Sequence, residues 1–151
     1  MLFRSTGWKM GYCISPAALM AEFRKVHQFN VFSSNTPMQY ALAEYIGKYN
    51  DYSTLPSFYQ QKRDYFINLV KESKFRFKPA SGSYFQLLDY SSVTDEKDMD
   101  FAIRMTKEFG VASIPTSVFY SDKLDQKLLR FCFAKTDETL EKAAERLLKV
   151  K

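Results

Sequence analysis

The chain has 151 residues, of which 46% are apolar and 26% charged, with a net charge of +5. Domains peak near ~100–150 residues, so one domain, or one plus part of another, is expected. This composition excludes a disordered tail, a coiled coil and a collagen-like repeat. No apolar run approaches the roughly 18 residues of a membrane helix. The start, Met1 to Gly7, lacks the apolar stretch of a secretory signal. The 14 phenylalanines and 10 tyrosines need a packed interior or an interface to hide in. Cys13 and Cys132 make no disulfide framework and no metal site by themselves. Both stand among apolar residues and read as small buried hydrophobes of a reducing, cytoplasmic compartment. The basic residues are dispersed. Their densest stretch, with Lys71, Lys74, Arg76 and Lys78, reads as a solvated surface. No basic and aromatic motif of the RNA-binding type is interleaved in the chain, so neither a nucleic-acid nor a membrane partner is expected.

Lys9 to Ile14 reads as a short strand behind the Gly7 turn. Ser15-Pro16 is a cap followed by a helix-starting proline, and Leu19, Phe23 and Val26 carry a helix to about His27. Thr36-Pro37 repeats the signal. Met38, Leu42, Tyr45, Ile46 and Tyr49 then form the cleanest apolar stripe in the chain, weakened at its end by Gly47. Asn50, Asp51, Ser53 and Pro56 mark a break. A long helix is predicted over about 57–74, with Phe58, Phe66, Leu69 and Val70 on one face. Ser83 to Tyr90 is a strand behind the turn signals Pro79 and Gly82. A helix over 95–109 turns Phe101, Ala102, Met105 and Phe109 to one side, and Gly110 closes it. Val111 to Ile114 is a short strand, and Leu128 to Ala134 a strongly apolar one. Thr136 caps a last helix facing inward with Leu140, Ala143, Ala144, Leu147 and Leu148. Residues 82–149 therefore read as a compact α/β unit, with helices packed on a small sheet. The first 50 residues hold too little sheet to stand alone.

Chemistry-bearing candidates are few. His27 is the single histidine and reads as a packed or capping residue. No nucleophile elbow, dinucleotide fingerprint or phosphate-loop pattern is present. Lys9 follows Thr6-Gly7-Trp8. Such a turn suits either a phosphate or plain solvent. Arg130 shares one strand face with Leu128, Cys132 and Ala134, opposite Leu129, Phe131 and Phe133. A guanidinium in so apolar a strand needs an anion. That anion is either an internal carboxylate or a ligand carboxylate in a bidentate fork.

Three segments together resemble the class I aminotransferases that use pyridoxal phosphate, especially the kynurenine, glutamine and methionine type. They are Thr6-Gly7-Trp8-Lys9-Met10-Gly11-Tyr12, Val111 to Tyr120 and Leu129 to Lys135. Val26-His27-Gln28, the run from Phe32 to Asn35-Thr36-Pro37 and Gln39, and Gly82 to Phe85 also look like the family, in its order. The resemblance implies a C-terminal fragment of a fold type I, α/β transferase. Residues 1–50 would end the large cofactor-binding domain, 51–76 would connect, and 77–151 would form the small domain. It implies that Lys9 binds the cofactor phosphate and that Arg130 grips the substrate α-carboxylate. It implies that Phe32 lines the site of the neighbouring subunit in a homodimer. The lysine that forms the Schiff base stands, in this family, five residues before the threonine, and that position is Met1 here. Methionine has no amine, so the catalytic position is empty of its function and the chain alone is expected to be inactive.

The parent reaction would move an amino group from an L-amino acid to a 2-oxo acid. The rival expectation is a stand-alone, non-catalytic α/β domain for protein interaction or anion binding. A metal site is expected in neither.

Overall fold

The structure is a computed structural model that describes residues 9–151, the Asp51 side chain excepted. Met1, Thr6, Gly7 and Trp8 lie outside the described residues. The chain divides into two compact units, Met1–Leu55 and Pro56–Lys151.

Among its described residues the first unit holds two α-helices, α1 (Ala17–Asn30) and α2 (Thr36–Lys48), and the 3₁₀ turn Asp51–Thr54. Pro16 stands immediately before α1, where its fixed φ suits a helix start. Asn35 caps α2, its side-chain oxygen accepting the Met38 N–H at 3.2 Å, and proline follows in the first turn. Neither helix contains a buried residue. Leu19, Phe23 and Val26 are exposed, and so are Tyr45 and Ile46. The strand expected over Lys9 to Ile14 does not form: residues 10–16 carry no regular structure. A strand exists only as a pairing, and no described segment pairs with this one. Cys13 is accordingly exposed rather than buried, and Cys132 is only half-buried. In the isolated chain, α1 and α2 amides are expected to exchange with solvent faster than those of the second unit's sheet. Hydrogen exchange checks this: protection of α1 and α2 equal to that of the sheet in a monomer overturns it.

The second unit holds α3 (Leu55–Val70) from Pro56 onward, then β1 (Phe85–Asp89), α4 (Asp98–Phe109), β2 (Ile114–Pro115), β3 (Leu128–Cys132) and α5 (Asp137–Leu147). The three strands form one antiparallel sheet in the order β1-β3-β2. Pro115 sits on an edge strand, where its missing donor costs no ladder bond. The strand expected over 111–114 forms only as the two-residue pairing Ile114–Pro115, and Val111 is buried. Gly110 takes φ 65° at the C-terminus of α4, the left-handed stop that its lack of a side chain permits. Thr136 accepts the Thr139 N–H at 3.3 Å and caps α5.

One sheet face carries Gln86, Leu88, Leu129, Phe131 and Pro115, all buried. The core behind it gathers Phe66 and Val70 of α3, Phe75, Tyr90, Phe101 and Met105 of α4, and Leu140, Ala144 and Leu147 of α5. Phe58 and Leu148, expected inside, are exposed. The helix stops at Leu147, so the helical phase is lost there and Val150 turns inward instead, at 1% exposure. Gln86 is sealed but satisfied. Its amide donates to the Lys78 and Leu87 carbonyls and accepts the Ala80 N–H, which fastens the segment entering β1.

Candidate active site on the open face of the sheet

The other sheet face is only partly covered. Alternation along the strands puts Phe85, Leu87 and Asp89 of β1 on it, together with Leu128, Arg130 and Cys132 of β3 and Ile114 of β2. Arg130 lies at the centre, opposite Leu87 on one side and Ile114 on the other. Its guanidinium carbon is 4.1 Å from the Phe85 ring centre and 4.7 Å from that of Phe119. Both rings attract the cation through their negative faces and restrict its rotamers. The Phe85 contact follows the diagonal between neighbouring strands, which long and aromatic side chains can span.

Three described arginines are partly buried: Arg63, Arg104 and Arg130. Arg63 pairs with Asp64 and donates to the Ala80 carbonyl. Arg104 closes on Glu96, with Nη2 2.6 Å and Nε 2.9 Å from Oε1. That hydrogen-bonded guanidinium holds the Glu96 carboxyl below the usual range. Arg130 is different. Among the described residues its Nε, sealed from solvent, has no hydrogen-bond partner, and no carboxylate lies within 4.0 Å of it. Of the two anions left open by the sequence, no internal carboxylate pairs with this cation among the described residues. An orphaned guanidinium beside a half-open surface is suited to a planar anion from outside.

The other sequence-predicted residues belong to the first unit. Lys9 is exposed, with φ 58° in the left-handed region, and has no hydrogen bond or ion pair among the described residues. Phe32 is 82% exposed at φ 63°, a conformation a bulky residue seldom adopts. It follows the C-terminus of α1, where its N–H and that of Val31 both bond the His27 carbonyl. The His27 ring stacks on Phe23 at 5.7 Å. Sequence reasoning missed the two rings beside Arg130. Phe85 and Phe119 both stood inside segments quoted for the resemblance, but nothing in a strand pattern states which strand will be the neighbour.

A family model for class I and II aminotransferases matches residues 3–147. The chain belongs to that family. It is 50% identical over 146 residues to the methionine aminotransferase of Escherichia coli, covering 96% of the chain and 38% of the relative. It is 35% identical to a kynurenine–oxoglutarate transaminase of Dictyostelium discoideum, covering 99% of the chain and 39% of the relative. An Escherichia coli crystal structure reported with a methionine aminotransferase function superposes with a TM-score of 0.86, at 50% identity, over 95% of this chain and 38% of that one. An N-succinyldiaminopimelate aminotransferase from Mycobacterium tuberculosis gives 0.85 at 30% identity, over 99% of this chain and 39% of that one. The chain thus spans about two fifths of the length of these relatives. Its α/β architecture is that of fold type I transferases, as the resemblance implied, and the family works with pyridoxal phosphate. No described helix is long and apolar enough to cross a membrane.

Proposed function

We propose that this chain is the C-terminal part of an aminotransferase and that Arg130 holds the α-carboxylate of the amino acid and of the 2-oxo acid. One observation carries the reading: a half-buried guanidinium, flanked by two rings, whose Nε has no partner among the described residues. A carboxylate supplies two coplanar acceptors at the spacing of the guanidinium fork. The rings hold the fork in place before the substrate arrives, so less rotamer entropy is lost on binding.

Lys9 fits one phosphate contact of pyridoxal phosphate. It is an exposed cation that no described carboxylate neutralises, and a phosphate oxygen is the anion it would take. Bound there, the cofactor supplies an electron sink for the substrate Cα–H bond. The chain's own residues contribute the grip and the phosphate cation. Arg130 fixes the carboxylate end of the substrate, so that the amino group is oriented by one anchored end. Phe32, displayed on its left-handed turn, would reach the active site of a second subunit in a homodimer. Residues 1–50 would complete a large domain, 51–76 would connect, and 77–151 would form the small domain. The similarity to methionine and kynurenine aminotransferases supports large apolar or sulfur-containing amino donors. A cytoplasmic location fits the two unpaired cysteines.

The position five residues before Thr6 is Met1, which carries no side-chain amine. The isolated 151-residue chain is therefore expected to show no turnover with methionine or kynurenine and a 2-oxo acid. After pyridoxal phosphate and borohydride its mass should be unchanged. A stoichiometric adduct on one lysine, together with turnover, overturns the inactive-fragment reading. Absence of transamination by the complete protein, loaded with cofactor, overturns the function itself.

A further inference from the structure

We propose that Asp98 is a positioning residue for the Arg130 grip, acting through Ser117 and Phe119. The inference rests on the reading of Arg130 as the carboxylate-binding residue.

Asp98 is 2% exposed, an unusual place for a carboxylate. No described cation pairs with it. Both of its oxygens are spent on one residue: Oδ2 accepts the Ser117 N–H at 2.8 Å and Oδ1 accepts the Ser117 hydroxyl at 2.8 Å. Its place in the first turn of α4 supports the negative charge, because unpaired backbone N–H groups gather there. Its own N–H donates to Asp125 at 3.1 Å, which fixes the helix start.

Ser117 lies within the 3₁₀ turn Thr116–Phe119. The residue before it is tied the other way, with the Thr116 hydroxyl donating to the Leu128 carbonyl of β3 at 3.2 Å. The turn is thus fastened at two consecutive residues, to α4 and to β3. The Ser117 carbonyl also accepts the Tyr120 N–H at 3.1 Å and closes the turn around Phe119.

Phe119 is 59% exposed, so side-chain packing does little to hold its ring. The ring nevertheless stands 4.7 Å from the Arg130 guanidinium carbon. Its position is set by the backbone beneath it, and that backbone is held by the buried carboxylate. The two walls beside Arg130 therefore have different supports. Phe85 is placed by the pairing of β1 with β3. Phe119 is placed by the Asp98–Ser117 bonds.

The test uses the complete, cofactor-loaded enzyme. Asp98→Ala removes both bonds. Ser117→Ala removes only the hydroxyl bond and carries the test should the first variant fold poorly. Both are expected to raise KM for the amino acid and for the 2-oxo acid by about twofold to tenfold, the cost of ordering one rotamer-rich side chain. The turnover number kcat should stay within about twofold, because the carboxylate contact serves ground and transition states alike. Phe119→Leu should raise KM similarly. Its effect should not multiply with that of Asp98→Ala in the double variant, because the two act in one chain of contacts. A purely structural Asp98 would lower Tm and leave KM of the folded enzyme at its wild-type value, which overturns the proposal. Multiplying KM factors overturn it too. Arg130→Lys measured alongside separates the two readings. A wild-type KM there overturns the carboxylate reading and this proposal with it. A raised KM there, with wild-type KM in the Asp98 and Ser117 variants, overturns this proposal alone.

Discussion

Arg130→Lys in the complete enzyme is expected to lower kcat/KM for amino acids by about tenfold to several hundredfold. A hydrogen bond from a charged donor is worth roughly 1.5–3 kcal/mol, and each 1.4 kcal/mol is about a factor of ten. Lysine keeps the charge and loses the planar fork. It also loses the flat cation that lies 4.1 Å from Phe85 and 4.7 Å from Phe119. The loss should fall mainly on KM. Cofactor affinity should hardly move if the phosphate is held elsewhere, in part by Lys9. The competing account, a guanidinium that only balances the fold, forecasts a lowered Tm with unchanged kinetics of the folded fraction. Steady-state kinetics and thermal unfolding of the same preparation distinguish them. Unchanged kcat/KM with a lowered Tm removes Arg130 from the site.

The contrast among the three partly buried arginines explains why this forecast is specific to Arg130. Arg104 and Arg63 have carboxylates at hydrogen-bond distance, so their charges are settled inside the fold. Truncating either removes a partly exposed ion pair, and any effect should appear in stability, by about 1 kcal/mol or less, rather than in kinetics. Arg130 has no such internal debt. Its sealed Nε is a cost the fold carries, and on the proposed reading a ligand carboxylate on the guanidinium would offset it.

What the sequence made legible follows the range over which each interaction acts. Gly110 and Thr136 do their work on neighbours within one turn, and both are where the residue pattern placed them. The face of Arg130 was legible for the same reason: alternation along Leu128 to Cys132 needs no partner to be counted. Which rings flank it was not, because Phe85 and Phe119 arrive through strand register and a distant turn. Nothing in the residue pattern singles out Asp98 among the scattered acids. Only the fold shows it sealed and bonded to Ser117. The Lys9 to Ile14 pattern fails as a strand because alternation describes a face, whereas a strand also requires a ladder partner. Cys13, apolar in its neighbours, is exposed with that unpaired segment.

Phe101→Ala is expected to destabilise the second unit by about 3–5 kcal/mol, the usual cost of deleting a fully buried ring. The residue is 0% exposed. Its ring lies 4.6 Å from that of Tyr90 and 6.3 Å from that of Phe75, and the Arg104 guanidinium carbon is 5.0 Å above it. Tyr90 and Phe75 are themselves buried, at 0% and 3% exposure, so neither can relax outward without exposing its own surface. Tyr90 is further held by its hydroxyl, which donates to the Glu96 carbonyl at 3.0 Å. The cavity would therefore collapse poorly, which places the loss toward the upper part of that range. Domains retain only about 5–15 kcal/mol in total, so a substantial unfolded population should appear at physiological temperature. Because α4 also carries Asp98, the loss should propagate to the turn under Phe119 and from there to the Arg130 face. Urea unfolding of the chain followed by circular dichroism measures the change. A loss below about 1 kcal/mol would show that Phe101 does not organise this core.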